Sequence, residues 1–290
     1  MKVTGQTRLA GIIGHPIAHT LSPAMHNAAF AEMGMDWCYL PFDVRPQELG
    51  AALAGLGALG CQGLNVTIPH KQAVVQYMSR LSSEARLIGA VNAIEFRGKR
   101  PIGHNTDGRG FVHAFEDEWG EKLTGKRVLL LGAGGAAAAV AVQLLIEGVD
   151  HLTLANRTVK KAQRLVESCR RRFARKRVTA LPLRADRLAP IVREVQIIIN
   201  ATSLGMRSED RSPIPAGLLR PDLTVCDLVY KPPMTPLLRE AQSVGARTIN
   251  GVGMLLWQGA LAFEIWTGKK PPVDAMRRAL QKALSGTPTG

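Results

Sequence analysis

The chain has 290 residues, of which 46% are hydrophobic and 21% charged, enough to bury one large core or two moderate ones, with two the better expectation. No apolar run reaches membrane-spanning length without interruption, because VLLLGAGGAAAAVAVQLLIEG is broken by Gly132, Gly134 and Gly135, so no membrane partner is expected. The formal net charge of +14 is partly local, in RRFARKR (Arg171 to Arg177), where a single aromatic and no nucleic-acid module point to a solvated basic face and to no nucleic-acid partner.

In chain order, MKVTGQTRLAGIIGHP lacks the uninterrupted apolar segment of a signal peptide, and a cytoplasmic location is expected. TRLAGIIG then reads as a strand, SPAMHNAAFAEMG as a helix ending at Gly34, DWCYLPFDV as a strand, PQELGAALAGLGALG as a helix and CQGLNVTIP as a strand, a βαβαβ rhythm. Ser22 before Pro23 is the expected N-cap with proline at the first helical position, which puts the preceding polar residues in a loop above the carboxyl end of a strand. Such loops are where open parallel sheets bind ligands. Pro69 is expected to start a helix, KQAVVQYMSRLSSEARLIG to continue it, and AVNAIEFRGKRPIGHNTDG to form a strand-turn-strand edge with Gly98 in the turn.

A second unit starts after GRGFVHAFEDEWG, a helix joining the two. GKRVLLLGAGGAAAAVAVQLLIEGVDHLTLANRT reads as a complete βαβ, with a wholly apolar strand, a turn at Gly132, Gly134 and Gly135, and a helix of small residues. Glycines placed between a buried strand and a helix are the context of a dinucleotide fingerprint. Where an NAD site usually carries an acid on the ribose 2′-OH, this strand ends in Asn156, Arg157 and Thr158, followed by Lys160 and Lys161. A guanidinium in place of a carboxylate suits a 2′-phosphate, so NADP is the expected cofactor. Strands follow at VQIIINATSLGM and LTVCDLVY, then a helix, a short strand and a long helix from Met254 that can return to the first domain. The expected division is residues 1–106 completed by 251–290 as a substrate domain, and 107–250 as a Rossmann-type dinucleotide domain: two open α/β domains separated by a cleft.

Cys38, Cys61, Cys169 and Cys226 are far apart and none forms C-x-x-C, which disfavours structural zinc and a disulfide framework. His15, His19, His26 and His70 share no metal-ligand spacing with carboxylates, so no metal is expected. A nicotinamide enzyme acting at an alcohol carbon needs one acid/base group and donors that locate the other oxygens of a small-molecule substrate. Lys71, in the polar motif NVTIPHK, is the economical proton handler, and Asp107 in GHNTDG its best carboxylate partner.

The motifs HTLSP (19–23), NVTIPHK (65–71), GAVNA (89–93), NTDG (105–108), GAGGA (132–136), NRT (156–158), NATSLGM (200–206) and NGVGMLLWQ (250–258) are individually common; as an ordered set they are specific. With them the chain resembles the shikimate dehydrogenase family over nearly all its length. The resemblance implies reversible reduction of 3-dehydroshikimate to shikimate with NADPH, in chorismate and aromatic amino acid biosynthesis. It implies Lys71 as acid/base with Asp107, and substrate contacts from Thr20, Ser22, Asn65, Thr67, Asn92, Tyr230 and Gln258. It implies cofactor contacts from Gly132, Ala133, Gly134, Gly135, Ala136, Asn156, Arg157, Thr158, Lys161, Thr202, Leu228, Gly251 and Met254. Thr20 stands where the family usually has serine, Ala93 where a threonine is frequent, and Lys161 where a second arginine is common. A quinate/shikimate dehydrogenase of broader specificity and a non-catalytic NADP-binding protein are the alternatives, the latter disfavoured because Lys71 and Asp107 are both present. A homodimer is left open.

Overall fold

The computed structural model describes residues 3–207 and 209–286. The chain divides into two compact units, one made of residues up to Thr106 with those from Leu256 onward, the other of Asp107–Leu255.

The first unit contains β1 (Arg8–Gly14), α1 (Ser22–Glu32), β2 (Trp37–Asp43), α2 (Leu49–Ala58), β3 (Gly63–Val66), β4 (Arg80–Leu81), α3 (Ser83–Ile88), β5 (Ala93–Arg97) and β6 (Arg100–His104). Its six-stranded sheet has the order β2-β1-β3-β5-β6-β4. β1 runs parallel to β2 and β3, and β5 runs antiparallel to both β3 and β6. Ile13, Leu64, Val66 and Ile94 pack on one face against Leu49, Leu53 and Leu56 of α2 and Ala85 of α3. The other face is aromatic: Phe30 of α1 meets Trp37 and Phe263, while the indole N–H of Trp266 donates to Ile94 O at 2.9 Å.

The second unit contains α4 (Asp107–Trp119), β7 (Arg127–Leu131), α5 (Gly135–Ile146), β8 (His151–Asn156), α6 (Val159–Arg172), β9 (Arg177–Pro182), α7 (Ala185–Val192), β10 (Ile197–Asn200), β11 (Thr224–Asp227), α8 (Pro236–Ser243) and β12 (Arg247–Ile249). α9 (Gly251–Thr267) starts here and ends in the first unit, where α10 (Val273–Ser285) follows. The sheet is wholly parallel in the order β12-β11-β10-β7-β8-β9, the doubly wound arrangement in which strand order reverses beside the first strand. Val128 to Leu131, Ile197 to Ile199 and Val225 are all buried, as continuous apolar strands covered on both faces must be. One core joins α4, α5 and α6 to the sheet and a second joins α7 and α8 to its other face.

Three local expectations are corrected. The segment from Lys71 to Gly89 is not one helix but a 3-10 turn (Ala73–Tyr77), β4 and α3. Tertiary pairing overrides its helical pattern: Ser79 N and Ser82 N donate to Pro101 O and Gly103 O at 2.9 and 2.8 Å, which lays β4 along β6, and Ser82 Oγ then caps α3. β4 therefore occupies the sheet edge expected of the β5–β6 pair. Pro69 does not start a helix; Ile68–Pro69 is a cis peptide in a turn closed by His70 N on Thr67 O at 2.9 Å. Ser22 is not the N-cap of α1: Leu21 holds that place with no side-chain cap bond, and Ser22 is the first helical residue, 3% exposed. α7, in LRADRLAPIV, was not expected from the sequence pattern.

α4 and α5 approach closely at Gly108, where a Cβ would lie 2.6 Å from Ala139 O and 2.8 Å from Gln143 Cβ. Gly108→Ala is expected to destabilise the protein by about 1–3 kcal/mol, as overpacking does, read as a lower denaturation midpoint at unchanged m-value; an unchanged midpoint would show that the helices separate freely.

Candidate active site

In the first unit the polar residues singled out by the sequence collect at one end of the sheet. β1 and β3 are parallel, so the loop carrying Thr20 into Ser22 and the turn carrying Thr67 to Lys71 leave from the same edge. β5 runs against β3 with Ala93 opposite Asn65, which brings Asn92 to that edge, and β6 exits there into Asn105 and Thr106. The Lys71 carbonyl accepts from Val91 N at 2.8 Å, tying the lysine turn to the approach to β5. Thr20 Oγ1 accepts from Ser22 N at 3.3 Å.

These side chains are held by buried amides with defined partners. Asn65, 3% exposed, donates from Nδ2 to Asn92 O at 3.2 Å and accepts at Oδ1 from the Tyr39 hydroxyl at 2.7 Å. Asn92, 1% exposed, accepts at Oδ1 from Thr106 N at 2.7 Å and donates from Nδ2 to Thr106 Oγ1 at 2.9 Å and to Gln258 Oε1 at 3.3 Å. Gln258 belongs to α9, so the returning helix completes this cluster. Tyr39 and Thr106 were not among the expected site residues; Thr106 lies inside NTDG, and Tyr39 carries no motif at all.

Of the four histidines considered, His70 is buried with Nε2 on Val44 O at 2.7 Å, and His15 meets Asp43 at 2.7 Å. His19 is exposed. His26 is fully buried and stacks on Tyr39 with ring centroids 4.4 Å apart and 12° between planes. Burial pushes its pKa down to about 3, against a smaller raising influence from Asn65. His26 is therefore a neutral ring supporting Tyr39. Among the described residues no group of three or more His, Cys, Asp or Glu side chains could hold a metal ion, and no helix is long and apolar enough to cross a membrane.

In the second unit the expected cofactor residues lie beyond the carboxyl ends of β7, β8, β10 and β11 and, for Gly251 and Met254, in the first turn of α9 after β12. Gly132 leaves β7 at φ +113°, and a Cβ there would stand 2.8 Å from Ala201 O. Gly134 is the N-cap of α5 and its Cβ position is open, so Gly132 to Ala136 form a backbone cradle at a helix N-terminus where a pyrophosphate can approach. Asn156 ends β8 and donates to Thr158 O at 3.0 Å, and Arg157 and Lys161 are exposed beside the start of α6. The first turn of α6 holds no acidic residue, and its N-cap Thr158 makes no side-chain cap bond. Cations at a positive helix end are unfavourable alone, and a phosphate dianion at that end relieves them. These residues fit an NADP-type dinucleotide.

A second polar cluster holds the loops beyond β10 and β11. Thr202, through its N–H and hydroxyl, donates to Asn200 Oδ1 at 3.1 and 2.7 Å, while Asn200 Nδ2 donates to Asp227 Oδ1 at 3.0 Å. Asp227 also accepts from Val229 N at 3.0 Å and from the Thr235 hydroxyl at 2.7 Å. Burial raises the Asp227 pKa, and these three donors pull it back. Leu228 N donates to Asn200 O at 2.9 Å, and Tyr230 follows on the same loop, with its phenol pKa raised by burial. A Cβ on Gly251 would lie 2.2 Å from Leu228 O, and Met254 packs in the core beside Leu228. Asn200, Asp227 and Thr235 were missed as site-supporting residues; the sequence signals were the motif NATSLGM, which Asn200 opens, and an acid closing the apolar strand TVCD. Lys71 belongs to the first unit and Asp107 to the second, where it opens α4, 3% exposed.

A doubly wound parallel sheet with a glycine cradle, joined to a mixed α/β unit with clustered amides and a lysine at its carboxyl edge, defines the class of two-domain nicotinamide-dinucleotide oxidoreductases. Residues 12–94 match the family model of the shikimate dehydrogenase substrate binding domain, 115–208 that of shikimate/quinate 5-dehydrogenase, and 251–281 that of the shikimate 5′-dehydrogenase C-terminal domain. The shikimate dehydrogenase (NADP(+)) of Methanopyrus kandleri is 46% identical over 98% of both chains. A shikimate dehydrogenase crystallised with NADP+ superposes with a TM-score of 0.91 at 41% identity, covering 98% of both chains. The shikimate 5-dehydrogenase of Listeria monocytogenes, crystallised with shikimate and NAD, gives 0.90 at 40% identity, covering 97% of this chain and 98% of that one. The chain belongs to the shikimate dehydrogenase family, NADP-dependent oxidoreductases built from a substrate-binding domain and a Rossmann-type domain.

The depressed pKa of His26 has a consequence for stability. A folded-state value of about 3 against 6.5 in the unfolded chain means that the unfolded state binds the proton first, so this contribution is complete above pH 6.5 and is lost as pH falls toward 3. Between pH 8 and 5 the loss should be about 2 kcal/mol, at 1.36 kcal/mol per pH unit below 6.5. His26→Phe should flatten that part of the stability–pH curve, and an identical slope in variant and wild type would rule out His26 as its source.

Proposed function

We propose that the protein catalyses the reversible NADPH-dependent reduction of 3-dehydroshikimate to shikimate in the cytoplasm, on the route to chorismate and the aromatic amino acids. One observation carries the reading: the interlocked amides of Asn65, Asn92 and Gln258 stand at the sheet edge that carries Lys71, in a chain whose dinucleotide cradle is followed by Arg157 instead of an acid. A polyol ring needs several directed hydrogen bonds, and buried amides supply them with little reorganisation.

The unit closed by Thr106 and α9 takes the substrate, and the unit from Asp107 takes the dinucleotide. NADPH, when bound, supplies the hydride. Lys71 donates a proton to the oxygen that becomes the new hydroxyl and recovers it in the reverse direction; Asp107 orients the ammonium and balances its charge. Asn65, Thr67 and Asn92 read ring hydroxyls, Thr20 and Ser22 the carboxylate, and Tyr230 and Gln258 complete the substrate contacts. Gly132 to Ala136 hold the pyrophosphate on backbone N–H groups, Asn156 to Thr158 and Lys161 hold the 2′-phosphate, and Thr202, Leu228, Gly251 and Met254 complete the dinucleotide site. The methyl group of Thr20 beside the carboxylate bears on discrimination against quinate. Steady-state assays of wild type with shikimate and quinate, each with NADP+ and NAD+, test the whole assignment; activity with neither acid overturns it.

Lys71→Met keeps much of the stem and removes the ammonium, so turnover should fall by roughly 100-fold to 10,000-fold with substrate affinity little changed. Near-normal single-turnover hydride transfer in the folded variant would refute the acid/base role, and a selective loss of affinity would move Lys71 to recognition. Replacing Arg157 by Gln should raise the Michaelis constant for NADPH by about tenfold and leave that for NADH nearly unchanged, because only NADPH presents the phosphate to a charge-assisted bond worth about 1.5–3 kcal/mol. Equal losses with both cofactors would place Arg157 elsewhere.

A further inference from the structure

We infer that Arg184, beyond β9, is a further guanidinium for the 2′-phosphate of the dinucleotide and a determinant of cofactor specificity, a role that rests on the proposed placing of that phosphate beside Arg157. Positive charge is concentrated in this part of the chain. Residues 157–187 hold twelve of the 37 lysines and arginines and two of the 23 acids, so they carry +10 of the net +14. α6 takes this charge from the carboxyl edge of the sheet to the opposite edge, and β9 brings the chain back to the carboxyl edge, where Arg184 stands.

The return is in register. β9 runs parallel to β8 with Pro182 opposite Asn156, and Leu183 N donates to Asn156 O at 3.2 Å, one step past the end of both ladders. Arg157 and Arg184 each follow a member of that last bonded pair, on neighbouring strands about 4.8 Å apart.

The two helix starts at this edge are both unfavourable without an anion. Arg184 is the N-cap residue of α7, a place that favours Ser, Thr, Asp or Asn, and it makes no side-chain cap bond. α6 likewise starts with neither a cap bond nor an acid in its first turn. Two positive helix ends therefore meet Arg157, Lys160, Lys161, Arg184 and Arg187 at one edge. Asp186 is the only acid among residues 168–193. Its Oδ1 accepts from Arg184 Nε at 3.1 Å and its Oδ2 from Nη2 at 3.4 Å, with Arg187 Nε 3.6 Å from Oδ2. One carboxylate shared by two guanidiniums leaves the group net positive, and it holds Arg184 by one side of its fork. Nη1 has no protein partner among the described residues, and the side chain is 70% exposed, so a phosphate can reach it. Lys160 and Lys161 are point charges, whereas the planar guanidinium of Arg184 can engage two phosphate oxygens.

The test is calorimetric binding of adenosine 2′,5′-bisphosphate and of 5′-AMP to the whole chain, which needs no turnover. Wild type is compared with Arg184→Gln, with Arg184→Lys, and with Arg175→Gln, which removes the same charge from the exposed turn between α6 and β9 at the opposite edge of the sheet. Wild type should bind the bisphosphate at least tenfold more tightly than AMP. Arg184→Gln should weaken the bisphosphate about tenfold and AMP less than twofold, as loss of a charge-assisted bond to the phosphate requires. Arg184→Lys, which keeps the charge and loses the fork, should weaken the bisphosphate about threefold. Arg175→Gln should change neither ligand by more than about twofold, since a charge at that distance is screened. In steady state Arg184→Gln should raise the Michaelis constant for NADPH in the same proportion and leave those for NADH and shikimate within about twofold. Unchanged bisphosphate affinity in Arg184→Gln would leave Arg184 serving Asp186 alone and overturn the inference. Equal losses in Arg175→Gln would replace it by a general field of the basic segment, and equal losses of bisphosphate and AMP would remove the 2′-phosphate as the group recognised. A wild type with no preference for the bisphosphate refutes the phosphate site itself and Arg184 with it; a preference that survives Arg184→Gln refutes Arg184 alone.

Discussion

Polar groups at the carboxyl edge of a buried sheet must find hydrogen-bond partners inside the protein, because the strands that deliver them are cut off from water. Both units of this chain are organised by that requirement. In the first, Asn65, Asn92, Thr106 and Gln258 satisfy one another and three main-chain groups. In the second, Asn200, Thr202, Asp227 and Thr235 do the same for the loops beyond β10 and β11. An unsatisfied buried donor or acceptor costs about 1–3 kcal/mol, a large share of a typical folding free energy, so each cluster holds together as a unit. Ligand-facing residues attached to such clusters are preorganised, which is how amides and hydroxyls of modest individual strength become selective.

The same desolvation sorts the titratable residues by task. His26 is kept neutral and serves as a flat surface for Tyr39, whose hydroxyl in turn sets the Asn65 amide. Cys61 and Cys169 are pushed up to about 12 and 11 by burial, which leaves them protonated, unreactive packing groups. Asp227 is costly to bury charged, and the three donors around it turn that cost into a fixed geometry for two loops.

Backbone proximity is the other organising feature of the dinucleotide unit. Gly132, with its positive φ and its Cα against Ala201, lets the chain leave β7 directly beneath the exit of β10. Gly251 does the same against Leu228 at the start of α9. The two glycines draw the loops beyond β7, β10 and β11 and the start of α9 into one region, and the open backbone at Gly134 beside it fits the approach of a phosphate. Arg157, Lys160 and Lys161 supply the positive field at its far end, where α6 offers no acid of its own.

The sequence by itself determined the parallel dinucleotide unit, because buried strands are continuous apolar runs and the glycine turn has a fixed place between strand and helix. It also placed Lys71 and Arg157 on segments that follow strands, and it gave the expected cofactor, NADP, since an arginine replaces an acid at one known position. Only the tertiary structure decided the course of Lys71 to Gly89, where pairing of β4 with β6 defeats a helical pattern, and the start of α1, where Leu21 takes the N-cap place and Ser22 is the first helical residue. The partners of the supporting residues were likewise illegible, even for Thr106 and Asn200, which lie inside motifs, because a hydrogen bond across 26 or 152 residues leaves no periodicity and no spacing in the chain. Periodicity reports which face of an element is buried; which polar group meets which across the fold is settled only when the elements pack.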